Sequence, residues 1–382
     1  MKVQNMADCR QSVYEKAMLI RPNLASRNPC MPLLQTRLRV WVASTLAILV
    51  VLFGMQQARA EDELPSIGNY QLGEGLRLAD SGFTLGGYAT ITNDNQRHAP
   101  SRTALDNTSL FVWWEGEGRW KFFSEIDYEN VLSTRTATQA ADKRYLALER
   151  LYFDYAYSDN TNVRIGKFLT PIGRWNLIHA TPLVWTTSRP LITTVSFPGN
   201  VTGVMVNGSL PGLGTGVEYS VYGSAGEEIR ANPVLDPFNE VIGGHLSVPL
   251  SEDGQLGFSY AAFEQKKTRG EQKQLAGVDF VWSRHRYEIS GEGIYRFSDN
   301  GSTWDEKGVF LQLVAPLSER LYAVGRYEVF RKARELVSTR LWVAGLNYRI
   351  SRALVLKAEW VGSKDNQIDA PEGFMSSLSI LF

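Results

Sequence analysis

From Phe83 to Phe382 the chain alternates apolar and polar residues in about sixteen short stretches, joined in turn by long polar segments and very short ones. A period of two marks a β-strand with one apolar face. Strands in that number leave few folds open: a flat sheet would bare two edges, whereas a closed barrel bares none. The last stretch, Gly373 to Phe382, puts Phe374, Leu378, Ile380 and Phe382 on one face. A terminal strand of this kind closes a barrel against the first.

After residue 60 no uninterrupted apolar run is long enough for a membrane helix, so a bilayer would be crossed by strands. Sixteen strands of about ten residues with their connections need roughly three hundred residues, and Glu61 to Phe382 supplies 322. The expected strands are 83–92, 108–117, 119–128, 145–157, 162–169, 202–210, 216–223, 241–250, 254–264, 275–283, 285–297, 308–315, 320–330, 339–350, 353–361 and 373–382. Eight long connections then alternate with seven short turns, which predicts an all-β, transmembrane antiparallel barrel with both strand termini on the short-turn side. A soluble sandwich or propeller is the competing fold. It would need a second apolar layer against outward residues such as Ile165, Val221 and Phe258.

The two faces of the strands differ in character. Trp114, Trp120, Tyr155, Tyr157, Tyr219, Tyr260, Trp282, Tyr287, Tyr295, Trp342, Tyr348 and Trp360 share the lipid-facing parity, and most stand near strand ends, as interfacial girdles require. The opposite parity is charged. Lys121, Glu125, Asp127, Arg150, Arg164, Arg286, Arg296, Arg326 and Arg349 are expected to line the lumen, with Glu288, Glu292, Glu328, Lys357 and Glu359 among their neighbours. A Lys or Arg turned to lipid at mid-depth would cost about 2–4 kcal/mol. Such a lumen is either a wet channel or a network of paired charges that closes it.

Thr36 to Ala60 carries two arginines, an apolar run from Val40 to Phe53 and the small-x-small site Ala58-Arg59-Ala60, the layout of a secretory signal peptide. Met31 gives that signal an ordinary length, so residues 1–30 read as an over-extended N-terminus, 31–60 as the signal, 61–82 as a periplasmic lead-in and 83–382 as the barrel; a genuine long leader is the alternative. The first 60 residues hold eight Lys and Arg against two Asp and Glu, so removing them takes forty of each to 32 basic and 38 acidic residues. The remaining chain is acidic, which disfavours nucleic acid as a partner. Both cysteines, Cys9 and Cys30, fall in the removed part, which excludes thiolate chemistry and disulfides from the rest.

The third long connection stands apart. From Thr161 to Val217 there is no Asp or Glu, while Lys167, Arg174, His179 and Arg189 are present with Trp175 and Trp185. The run Arg164-Ile165-Gly166-Lys167-Phe168-Leu169-Thr170-Pro171-Ile172-Gly173-Arg174-Trp175-Asn176 resembles the strand-to-third-loop junction of bacterial outer-membrane porins, especially the phosphate-selective porin O and P type. The terminal Phe382 is similar to the closing signal of bacterial outer-membrane proteins. The resemblance implies a third loop folded into the barrel as its constriction, a homotrimer, and a passive diffusion channel for small hydrophilic solutes or ions in the bacterial outer membrane, in contact with lipid and lipopolysaccharide. Lys167, Arg174, Trp175, His179, Trp185 and Arg189 are then the candidate constriction residues. Their positive charge would favour anions where the pore is narrowest. Alternatively the aromatics anchor the loop and the arginines pair with wall carboxylates.

Catalytic readings find less support. The histidines His98, His179, His245 and His285 show no triad order or ligand spacing, so no catalytic residue, metal or cofactor is expected. An outer-membrane barrel serving as an enzyme or adhesin, its lumen occluded, is the alternative function.

Overall fold

The computed structural model describes residues 66–67, 69–97, 99–134, 143–211, 216–233, 235–301 and 304–382. The expectations for residues 1–30 and 31–60 lie outside the described residues. Sixteen antiparallel strands run in chain order: β1 (Phe83–Gln96), β2 (Arg102–Glu115), β3 (Trp120–Ser133), β4 (Tyr145–Ser158), β5 (Thr161–Leu169), β6 (Asn200–Ser209), β7 (Glu218–Ala225), β8 (Phe238–Ser251), β9 (Gly254–Gln265), β10 (Lys273–Arg284), β11 (Tyr287–Ser298), β12 (Glu306–Pro316), β13 (Leu321–Arg331), β14 (Thr339–Arg349), β15 (Leu354–Lys364) and β16 (Gly373–Leu381). Each pairs with the next, and β16 pairs with β1 from Gly373↔Gln96 to Leu381↔Tyr88, which closes the barrel. Every expected strand is present. The largest differences are β2 and β3, which extend beyond the alternating stretch into polar residues because they pair with each other as far as Ala104↔Ser133.

The lead-in expected at 61–82 has structure of its own. Ser66–Ile67, Tyr70–Gln71 and Gly75–Arg77 form a small meander that joins β1 through Leu76↔Leu85 and Arg77↔Thr84. The turn between β10 and β11 is equally informative. His285 and Arg286 both have positive φ, 50° and 70°, the signature of a two-residue type I′ hairpin. Arg286 therefore sits in a turn, not in a strand, and its guanidinium reaches Tyr322 Oη and the carbonyls of Ser318 and Glu319 at the short-turn rim.

Closure depends on close approach. Phe382 exchanges two backbone hydrogen bonds with Gly87, at 2.8 and 2.9 Å, and its ring lies over that glycine. A Cβ at Gly87 would stand 2.0 Å from the Ser109 carbonyl oxygen and 2.9 Å from the Phe382 ring. Gly87→Val is expected to destabilise the barrel by about 1–3 kcal/mol, the usual cost of overpacking, read as a lower temperature for loss of compact migration on a semi-native gel.

Outward residues such as Ile91, Leu110, Phe153, Ile165, Phe258, Leu313 and Trp342 are large, apolar and exposed, with no second layer over them. The interior is less uniformly polar than alternation suggests. Phe263, Leu275, Phe310, Phe330, Leu341 and Val361 point inward and pack with Ile172, Trp175, Val184, Leu191, Ile192 and Phe197 of the third long connection. A core inside the barrel is thus built from both, and it places that connection.

Candidate functional site

The third long connection, 170–199, folds inside the barrel and crosses it, carrying a short 3-10 turn (Trp175–Ile178) and one short helix, α1 (Leu191–Val195). Irregular backbone brings N–H groups that need acceptors, and this segment has no carboxylate of its own. The wall provides them. One Glu292 oxygen accepts from the N–H groups of Arg174 and Trp175, Glu359 accepts from Thr187 and Ser188 at 2.8 and 2.7 Å, and Glu328 accepts from Leu191 at 2.7 Å. Carboxylate acceptors make the stronger class of such bonds. Gly173, at φ 65°, lets the backbone pass against Glu292, where a Cβ would lie 2.3 Å from a carboxylate oxygen.

Wall cations complete the attachment. Arg326 donates to Thr186 Oγ1, the Ser188 carbonyl and Ser188 Oγ while its Nε holds Glu328 at 2.7 Å. Lys357 donates to the carbonyls of Thr181 and Thr186, and Asn347 to that of Trp185 at 3.0 Å. The loop is drawn against β9–β15 by these contacts and by the inner core.

Beside it, facing β1–β4, a cavity of about 360 Å³ remains. Asp94, Asp106, Asp127, Glu129 and Glu149 line its wall side, and His179 and Arg189 its loop side. Arg102 ties Asp94 and Asp106 to Asn130. Arg189 is exposed, with its guanidinium 5.5 Å from the Trp175 ring centre, and among the described residues it has no ion-pair partner. Burial, then the nearby charge of Arg189, holds the His179 pKa well below the ordinary histidine value, so its ring adds no charge at neutral pH. A second cavity of about 530 Å³ lies toward the short-turn side, lined by Arg150, Arg164, Arg174, Glu218, His245 and Asp279. Most of these are paired: Arg164 is bidentate on Asp154 at 2.7 and 2.8 Å, Arg150 holds Glu125, and His245 stands 3.0 Å from Asp279.

The structure places Arg174, Trp175, His179, Trp185 and Arg189 on the inserted loop but on two sides of it, His179 and Arg189 toward the gap and Arg174, Trp175 and Trp185 toward β11, β12 and β14, and leaves Lys167 out. Lys167 pairs with Leu151 and Thr202 on the outward parity, where residues 228–230 fold over the wall; its ammonium meets Glu228 and the carbonyls of Ile229 and Arg230. Strict alternation from inward Arg164 gives the same answer. Lys121 is exposed and paired with Glu115 near a short turn, Arg296 is buried on Glu306 and the Ser196 carbonyl, and Arg349 lies 4.4 Å from the Trp185 ring centre. Phe374, Leu378 and Ile380 share the outward parity of β16, as alternation requires. Glu149 was not expected in the lumen. A bulge between Glu125 and Ile126 leaves it unopposed, so that Glu149 and Arg150 both face inward. The break in alternation over Leu148-Glu149-Arg150 is its only trace in the sequence.

No protein-family model matches the chain. An uncharacterized protein of Aquifex aeolicus (strain VF5) is 26% identical over 183 residues, 46% of this chain; the chain spans 41% of the length of that curated relative. Among solved structures, the anion-selective porin from Comamonas acidovorans superposes with a TM-score of 0.55 at 13% identity, covering 78% of this chain and 98% of its own. Salmonella typhi OmpF, in complex with daunomycin, gives 0.57 at 10%, covering 80% and 99%. The fold is that of the sixteen-stranded porin barrels. The outer membrane channel DcaP of Acinetobacter baumannii gives 0.54 at 12%, covering 81% and 99%.

Proposed function

We propose that this chain is an outer-membrane porin, a passive diffusion channel for small hydrophilic solutes, without a catalytic step. One observation carries the reading: a closed barrel with an apolar outer face holds an inserted loop that leaves a polar gap along one wall. Apolar outer residues with aromatics near the strand ends suit a bilayer, and a polar gap suits water and solutes. In this reading the long connections are extracellular, in reach of lipopolysaccharide, and the short turns periplasmic. The working unit is a homotrimer, which cross-linking in native membranes would test.

Arg189, with His179 beside it, faces the five wall carboxylates across the gap, and Arg174 lines the cavities on the other side of the loop. Neither sign of ion is excluded by such a gap, and the loop arginines set the share of current that anions carry. The finer likeness, to phosphate-selective porins, rests on the Arg164–Asn176 junction. The acidic wall favours a general passage over one dedicated to phosphate.

The test is conduction. Purified barrel in planar bilayers is expected to give stepwise currents in potassium chloride, and proteoliposomes to swell in arabinose faster than in raffinose. Absence of both would overturn the porin reading and favour a barrel that works through its outer loops as an enzyme or adhesin.

A further inference from the structure

Between the inserted loop and strands β11, β12 and β14, toward the short-turn side, lies a third cavity of about 240 Å³. Arg174, Ile178, Trp185, Phe310, Gln312 and Arg349 line it. Its polar groups are incompletely matched. The Arg349 guanidinium carbon lies 4.4 Å from the Trp185 ring centre, and its buried Nε has no hydrogen-bond partner among the described residues. Gln312 is 4% exposed, and its Oε1 is likewise buried and unpartnered. The Arg174 backbone is fixed by Glu292, yet among the described residues its guanidinium makes no ion pair.

We propose that this cavity seats a small organic acid that carries a hydroxyl beside its carboxylate. The carboxylate meets the Nε–H of Arg349 and the guanidinium of Arg174, both of which are donors only. The hydroxyl donates to Gln312 Oε1, and the apolar body lies along Ile178, Phe310 and the ring of Trp185. Two glutamates share the cavity, and both are engaged: Glu288 accepts from Trp185 Nε1 at 3.0 Å and from Ser290 Oγ, and Glu292 from two backbone N–H groups. A single carboxylate presents two acceptor oxygens to these two donors, whereas phosphate would bring a further negative charge beside Glu288 and Glu292. A neutral sugar would leave both guanidinium groups unmatched. The seat rests on the porin reading for its role, a pause for one class of solute on the way through.

Mandelate is a suitable probe, with phenylacetate lacking the hydroxyl and mandelamide lacking the charge. Calorimetric titration of the folded barrel in detergent is expected to show one saturable mandelate site, with phenylacetate about tenfold weaker, as loss of a hydrogen bond to a buried acceptor implies, and no heat from mandelamide. Arg349→Gln is expected to weaken both acids about tenfold. Gln312→Leu should remove the advantage of mandelate and leave phenylacetate unchanged, which a general loss of folding would not do. Equal binding of the two acids, or no binding, overturns the seat. Because binding is read without current, a barrel that conducts but does not bind keeps the porin reading and discards the seat; one that binds but does not conduct does the reverse.

Discussion

Replacing Arg326 by alanine is expected to release the inserted loop and to lower barrel stability by about 3–5 kcal/mol, the cost of leaving one partner of a buried ion pair alone. The Arg326 side chain has no exposed surface and that of Glu328 is 1% exposed. Four donor contacts from this one guanidinium reach Glu328, Thr186 and Ser188. Glu328 in turn accepts from Leu191 at the start of α1. Removing the cation therefore unsettles the loop from Thr186 to Leu191. Single-channel records of the variant should show larger and noisier open currents than the parent, and limited proteolysis should cut near Arg189. A double replacement, Arg326→Met with Glu328→Met, separates the two effects. It removes both charges and keeps apolar volume, so most of the stability should return, while the N–H of Leu191 and the hydroxyl of Ser188 lose their partners and the current stays noisy. A quiet, parent-like current in the alanine variant would show that Glu292, Glu359 and Lys357 hold the loop without it.

Sixteen strands were legible because a half-buried strand in lipid writes its period into the sequence: Leu256, Phe258 and Tyr260 point outward between inward Gly257 and Ser259, and β9 follows that pattern. Parity also placed the wall charges. What the glutamates do was not legible. Glu292, Glu328 and Glu359 read as lumen lining, whereas they hold loop backbone, and a backbone N–H leaves no mark on residue type. Their counterpart was visible all the same: a long acid-free segment inside an acidic chain must find its acceptors elsewhere. The apolar interior was obscured for another reason. In β14 the sequence Leu341-Trp342-Val343-Ala344 is apolar on both parities, and alternation alone does not say that the inward pair packs on a loop from 150 residues earlier. Bulges hide in the same way, since a single extra residue such as Glu149 shifts parity for half a strand.

Neutralising the loop and neutralising the wall are expected to move ion selectivity in opposite directions. Arg189 stands on the loop side of the gap, within electrostatic reach of Glu129, and Arg174 lines the cavities on the other side of the loop. Asp127, Glu129 and Glu149 stand on the wall. Two charges about 4 Å apart interact by about 1 kcal/mol even in bulk water, so removing one charge beside a passing ion should change its share of the current by roughly two- to fivefold. Arg174→Gln with Arg189→Gln should shift the reversal potential under a salt gradient toward cations, and Asp127→Asn with Glu129→Gln toward anions. Arg189→Gln alone should account for most of the first shift, since Arg174 is set back against Glu292. Both shifts should be clear near 0.1 M salt, where screening extends about 10 Å, and small at 1 M, where it falls to about 3 Å. Equal selectivity in parent and variants at low salt would mean that ions pass elsewhere than between the inserted loop and β1–β4.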